Sequence, residues 1–301
     1  MTATKACVIG LGSMGLGMAQ SMLRKGLEVA GADLNPAAVK RLEEAGGRGF
    51  ASGAEAASDA DVLLTVVVNA AQTDAVLFGG NGAAARLRKG GVIISSATMA
   101  PAEARKLAAK TEALGLHYLD APISGGAVKA AAGHLTIMAS GTADAFAAAR
   151  PALDAMAATI YELGNEAGIG ASFKMVNQLL AGVHIAAACE AMTFAAKLGL
   201  DLPTVYKVIT ASAGNSWMFE NRVPHILDGD YSPRSAVEIF TKDLGIVGDM
   251  GRDEKFPMPV AATALQMFLM TAAAGMGKDD DASVARMIAK ITGIELPKPQ
   301  V

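Results

Sequence analysis

The chain has only two cysteines, Cys7 and Cys189, in 301 residues. That is too few for a disulfide framework or a multi-cysteine zinc site. Aromatics make up 5% and charged residues 18%, against about 25% charged in an average globular chain. With 52% hydrophobic residues the chain can bury a large core, which excludes intrinsic disorder. The 26 basic and 29 acidic residues give a formal net charge of −3, so no polycationic footprint for nucleic acid exists. His117, His134, His184 and His225 lack metal-ligand spacing. The opening residues, Met1 to Lys5, lack the apolar core and cleavage site of a signal peptide. Met175 to Cys189 contains Asn177, Gln178 and His184 and falls short of the roughly 20 apolar residues of a membrane span. The expectation is a cytoplasmic protein with neither a membrane nor a nucleic-acid partner.

What is abundant is small or aliphatic: 33 glycines, 16 methionines and long alanine runs. At about 150 residues per domain the length suggests two domains. The first half alternates strand-like and helix-like stretches. Ala6-Cys7-Val8-Ile9 has the continuous apolar character of a strand buried on both faces, and Met14 to Lys25 follows as a helix. Leu27 to Ala32 is a second strand, and Asn35-Pro36 caps a helix that stops at Gly46-Gly47. Val62 to Val68, Val92 to Ser95 and His117 to Asp120 are the next strands, with a helix over Pro101 to Leu114. Leu135 to Met138 and Thr159 to Tyr161 flank a helix near Ala143 to Met156. This rhythm predicts an α/β fold, a Rossmann-type doubly wound and mostly parallel sheet. After Gly164 the strands stop. Ser172 to Leu198 is apolar nearly all round and predicts a long buried helix, followed by helices over 203–211, 239–250 and 260–274. The predicted domains are residues 1–164, binding a dinucleotide, and an all-α C-terminal domain, 165–301, for substrate and oligomerisation. Apolar helices beyond what one small domain covers predict a homodimer or homotetramer.

Gly10-Leu11-Gly12-Ser13-Met14-Gly15 matches G-x-G-x-x-G, follows the first strand and opens the first helix. In that setting Gly10 permits the tight turn, Gly12 lets backbone approach a pyrophosphate and Gly15 lets helix and strand pack closely. The helix N-terminus offers N–H groups and a positive dipole end to phosphates. Asp33 ends the second strand, where a carboxylate accepts hydrogen bonds from ribose hydroxyls and repels a 2′-phosphate. Leu34 and Asn35 follow, with no arginine for that phosphate, so the cofactor predicted is NAD. Asn69 and Thr98 follow later strands and are further cofactor candidates; for Asn69 and Ser96 a turn-forming role is an equal alternative.

Asp120-Ala121-Pro122-Ile123-Ser124-Gly125-Gly126 ends the fifth predicted strand. Ser124, Gly125 and Gly126 expose N–H groups suited to a substrate carboxylate, though the same run also makes a plain strand-exit turn. Lys174, Asn177 and Gln178 lie at i, i+3 and i+4, on one face of the long helix. A lysine on a buried helix is costly unless it is paired or working. With a lowered pKa it can take the proton of a substrate hydroxyl. Its alternative is a solvent-facing lysine in the first turn.

These motifs, with Gly168-x-Gly170-x-x-x-Lys174-x-x-Asn177 and Lys242-Asp243-Leu244, resemble the β-hydroxyacid dehydrogenase family, which includes 3-hydroxyisobutyrate dehydrogenase. The resemblance spans nearly the whole chain. It implies an NAD-binding Rossmann domain and a helical domain. It further implies Lys174 as general acid/base, Asn177 orienting substrate, Ser124 to Gly126 holding a carboxylate and Lys242 reaching the cofactor. The segments 213–222 and 230–235 resemble the subfamily that oxidises L-threonate with NAD at C2 to the 2-keto acid. Asn215, the single tryptophan Trp217, and Gln178 are therefore further substrate candidates. Trp217 and Phe219 could equally pack between helices, and Phe240 beside the nicotinamide. Asp243 is a cap or structural partner. The alternatives are a 3-hydroxyisobutyrate dehydrogenase, a tartronate semialdehyde reductase, or a non-catalytic dinucleotide-binding module. Imine reductases share this architecture but usually replace the lysine.

Overall fold

The apolar run at the N-terminus forms a strand whose neighbours in sequence part company. Ala6 and Val8 enter one core, Cys7 and Ile9 the other. The computed structural model describes residues 3–299. Met1 and Thr2 of the opening segment, and Gln300 and Val301 of the second predicted domain, lie outside the described residues. The chain forms two compact units that divide between Lys174 and Met175.

The first unit begins with β1 (Lys5–Ile9), α1 (Gly15–Arg24), β2 (Glu28–Ala32), α2 (Pro36–Glu44), β3 (Arg48–Phe50) and α3 (Gly53–Ala56). It continues with β4 (Val62–Thr65), α4 (Ala70–Phe78), β5 (Val92–Ser95), α5 (Pro101–Glu112) and β6 (His117–Asp120). These six strands form one parallel sheet in the order β3-β2-β1-β4-β5-β6. That is the doubly wound Rossmann order, whose reversal between β1 and β4 opens a crevice at the strands' carboxyl ends. Helices cover both faces, which is why the strands carry apolar side chains without alternation.

β7 (Ile123–Ser124), α6 (Gly126–Ala132), β8 (Leu135–Ala139), α7 (Ala143–Met156) and β9 (Ala157–Glu162) follow. Their strands do not extend the parallel sheet. They make a separate sheet, β7-β8-β9, antiparallel at β7/β8 and parallel at β8/β9. One further strand went unpredicted and one strand expectation changes. β3 is only three residues long and too short for periodicity to reveal. Val66 to Val68 do not continue β4: Val66 N–H still donates to Ile9 O at 2.9 Å, but β1 then turns away at Gly10 and β5 ends at Ser95, so the paired register stops at Thr65.

α8 (Ile169–Lys197) carries the chain across the division. It is followed by α9 (Leu202–Thr210), α10 (Trp217–Asp228), α11 (Val237–Asp253), α12 (Pro259–Thr271) and α13 (Val284–Thr292). The core of the helical unit gathers Ile185, Met192, Phe219, Val223, Phe240 and Phe268. α8 is longer than the span judged too short for a membrane, and α8 and the Pro259–Met276 stretch are both long and apolar enough to cross one by length and composition. Half of α8's most apolar stretch is buried within this chain, as in a core helix, yet Phe173, Val176, Leu180 and Phe194 are exposed. The helix is thus not buried all round. α10 lies in a stretch for which the sequence predicts no element: Ser216 caps it by accepting from Phe219 N–H, and Gly229 ends it in a left-handed conformation. Pro224 in its middle masks it from pattern reading.

Candidate active site

In the first unit the predicted cofactor residues converge on the carboxyl ends of β1, β2, β4 and β5. Gly10 turns at φ +95°, and a Cβ there would lie 2.4 Å from Val66 O. At Gly15 a Cβ would lie 1.8 Å from Gly10 O, so only glycine lets α1 start this close to the turn. Beside Gly12 nothing lies within 4 Å of where a Cβ would be. That is an open cradle of backbone at the start of α1, whose first turn has no side-chain cap and no acidic residue. Both features fit a pyrophosphate. Asp33 is locked in place, with Oδ2 accepting from Leu11 N–H at 2.6 Å and Oδ1 from Asn35 N–H at 2.7 Å. Its carboxylate is thereby tied to the glycine turn at the position where ribose hydroxyls are read. Asn69 is the cap of α4, its Oδ1 accepting from Gln72 N–H at 2.9 Å, so that oxygen serves the turn. Thr98 is half-buried just past β5. These residues fit NAD.

The second group surrounds Lys174. Its side chain is only 8% exposed, and Nζ donates to the carbonyl of Ile123 at 2.8 Å. The alternative of a solvent-facing first-turn lysine is therefore removed. Ser124, Gly125 and Gly126 follow that carbonyl directly. Gly125 at φ +139° and Gly126 at φ +75° adopt backbone that L side chains rarely take, which explains two glycines in a row. What aims Lys174 is the anchoring of α8. Asp120 Oδ2 accepts from both Gly168 N–H and Ala171 N–H at 2.8 Å. Ser140 Oγ accepts from Gly170 N–H at 2.9 Å. Burial pushes the Asp120 carboxyl up to about 6, while the hydrogen bonds from Ala171 and Gly168 pull the other way.

In the helical unit Asn177 Nδ2 donates to Gln178 Oε1 at 3.0 Å, and Gln178 Nε2 donates to Asp243 Oδ2. The other oxygen of Asp243 lies 2.7 Å from Lys242 Nζ. Asn177, Gln178 and Lys242 are thus brought together, and Asp243 joins them. Asn215 and Trp217 are not part of that chain. Asn215 Nδ2 donates to Thr210 O and Glu220 Oε1, bracing the turn before α10, while its Oδ1 is buried without a hydrogen-bond partner among the described residues. Trp217 is 51% exposed, whereas Phe219 is buried and stacks on Tyr206, so the two rings do not share a packing role. Phe240 is buried against Phe268 in the helical core, with ring centroids 5.2 Å apart.

Comparison with known proteins now bears on this geometry. The model of the NAD-binding domain of 6-phosphogluconate dehydrogenase matches residues 5–164. The model of the NAD-binding region of NADP-dependent 3-hydroxyisobutyrate dehydrogenase matches residues 168–288. The chain is 54% identical to L-threonate dehydrogenase of Cupriavidus necator over 96% of this chain and 97% of that one. It is 32% identical to human mitochondrial 3-hydroxyisobutyrate dehydrogenase over 93% of this chain and 85% of that one. The crystal structure of a 3-hydroxyisobutyrate dehydrogenase from Salmonella typhimurium superposes with a TM-score of 0.91 at 50% identity, covering 94% of this chain and 99% of that one.

The chain belongs to the 3-hydroxyisobutyrate dehydrogenase-like family of NAD-binding hydroxyacid dehydrogenases.

Within this NAD-dependent hydroxyacid dehydrogenase, several residues that shape the site carry little signal of their own. Asp120 sits inside a motif read for its serine and glycines. Ile123 acts through its carbonyl, which any residue supplies, and Ser140 acts from just past β8, where it bridges to Asp120. Asp243 reads as a cap, yet it accepts from Gln178 and pairs with Lys242.

Proposed function

We propose that this dehydrogenase oxidises L-threonate at C2 to the 2-keto acid, with NAD. The observation that carries the reading is the buried Lys174 amine, 2.8 Å from the Ile123 carbonyl and adjacent in the chain to Ser124-Gly125-Gly126. It stands in a chain 54% identical to an L-threonate dehydrogenase. The N–H groups around Ser124, Gly125 and Gly126 receive the substrate carboxylate, and Lys174 takes the proton of the reacting hydroxyl as general base. The Ile123 carbonyl fixes where Nζ sits, so the proton acceptor needs little reorganisation. Asn177 orients the substrate, with the Gln178 amide holding it in place, and Asn215 and Trp217 serve the further hydroxyls. Gly10, Leu11, Gly12, Ser13, Met14, Gly15, Asp33, Asn69 and Thr98 hold the cofactor, with Lys242 assisting. NAD supplies the hydride acceptor when bound. The chain acts as a homodimer or homotetramer in sugar-acid metabolism in the cytoplasm, a setting compatible with the free, buried thiols of Cys7 and Cys189.

The test is NADH formation by the purified chain across a panel of acids: L-threonate, D-threonate, 3-hydroxyisobutyrate and glycerate. The expected result is a specificity constant for L-threonate at least about tenfold above the others, a discrimination of about 1.4 kcal/mol. Preference for 3-hydroxyisobutyrate, the substrate named for the Salmonella structure, would move the assignment to that second reading. Tight NAD binding with no turnover of any acid would favour a non-catalytic module.

A further inference from the structure

We propose that Asp243 is a positioning residue that fixes, through Gln178, which atom of the Asn177 amide meets the substrate, and that this atom is the carbonyl oxygen. The inference rests on the reading of Asn177 as the residue that orients a hydroxy acid.

An amide side chain is nearly symmetric in shape but not in chemistry: one end donates, the other accepts. Left to itself it can present either end. Here the choice is made two residues away. Asp243 is buried on α11, and its carboxylate can only accept hydrogen bonds. One oxygen faces Lys242 Nζ at 2.7 Å and the other takes the Gln178 Nε2 proton. Gln178 is itself buried, so reversing it would set its oxygen against a carboxylate oxygen in a poorly solvated place. Gln178 must therefore turn Oε1 toward Asn177, and Asn177 must answer with Nδ2, at 3.0 Å. The polarity runs one way, from Asn177 to Gln178 to Asp243. Its open end is Asn177 Oδ1, an acceptor.

An acceptor suits a hydroxyl, which brings a proton, and disfavours a carbonyl or carboxylate oxygen, which brings only lone pairs. The arrangement therefore selects the alcohol form of a hydroxy acid and adds an acceptor separate from the Lys174 amine. A simple ion pair for Lys242 would need Asp243 but would have no use for a buried glutamine between it and Asn177.

Two variants separate the relay from mere support. Gln178→Met keeps volume and leaves the Asp243–Lys242 pair intact, while Asp243→Asn lets the amides reverse. Both are compared with the wild type on the hydroxy acid that the wild type turns over fastest, so failure of L-threonate as substrate alone leaves this comparison standing. The expected outcome for Gln178→Met is a fall in kcat/KM of about 10- to 100-fold with an unchanged NAD dissociation constant. In the double variant the two losses should not multiply, because both cut one chain. A direct readout needs no turnover. With selectively ¹⁵N-labelled asparagine, the Asn177 side-chain amide protons should exchange slowly with solvent in the wild type and rapidly in both variants. Wild-type kcat/KM in Gln178→Met, multiplying losses in the double variant, or equal amide exchange in all three proteins would each overturn the proposal.

Discussion

At the scale of single residues, chemistry depends on where one amine sits. Lys174 is buried with its Nζ on the Ile123 carbonyl. Replacing it by alanine removes the proposed acceptor of the hydroxyl proton and leaves one carbonyl unpaired, at a cost of about 1 kcal/mol. The expected outcome for Lys174→Ala is a folded protein that binds NAD with wild-type affinity and loses about 10²- to 10⁴-fold in turnover. Stopped-flow NADH absorbance for turnover, together with fluorescence titration for NAD, checks it. Turnover within about threefold of wild type would remove the lysine from the mechanism. Lys174 and the glycines at 10, 12, 15, 125 and 126 were legible in the sequence because their demands are local: a turn, a close approach, a helix spacing. Asp120, Ser140 and the Ile123 carbonyl were not, because each works on a partner 30 to 51 residues away in the chain.

At the scale of elements, the decisive feature is the start of α8, since its anchoring directs Lys174. Asp120 Oδ2 holds the amides of Gly168 and Ala171, yet burial raises its carboxyl to about 6. The unfolded chain releases that proton at about pH 4. Between those values the native state binds the proton more tightly than the unfolded state does. This group's contribution to stability therefore declines as pH rises from about 4 to 6 and is constant above that. Asp120→Asn abolishes the titration. The stability difference between wild type and variant, from urea unfolding, should shift in the variant's favour across that window and level off near neutrality. A difference that stays constant from pH 4 to 7 would show that Asp120 does not titrate in the way its burial implies. The elements themselves were largely readable. β1, β5, β6 and α2 fall where apolar runs, Asn35 and Pro36 place them. Others were not: β3 has only three residues, α10 carries a proline inside, and α3, α4, α6 and α13 have no counterpart in the sequence expectations, while the strand expected to run on to Val68 stops at Thr65.

At the scale of the whole molecule, the scarcity of charge that marks the sequence meets a constraint in α12. The segment from Pro259 to Thr271 contains no charged residue, yet Val260, Leu269 and Met270 are exposed on the single chain, Val260 at 62%. On α8, Val176 and Leu180 are exposed as well. Water disfavours such surface at about 25 cal/mol for each Å² of apolar area, and monomeric proteins rarely leave large contiguous apolar patches open. Covering these helices with a second copy removes the cost, and closed symmetry is the common way to do so. The 30.6 kDa chain should therefore run in multi-angle light scattering at twice or four times its own mass at micromolar concentration. Leu269→Lys with Met270→Glu places charge on the exposed face while leaving the buried Phe268 untouched, so it should lower the mass without melting the helices. A wild-type mass of one chain across the whole concentration range would mean that these apolar faces meet water, and the composition would then need another explanation.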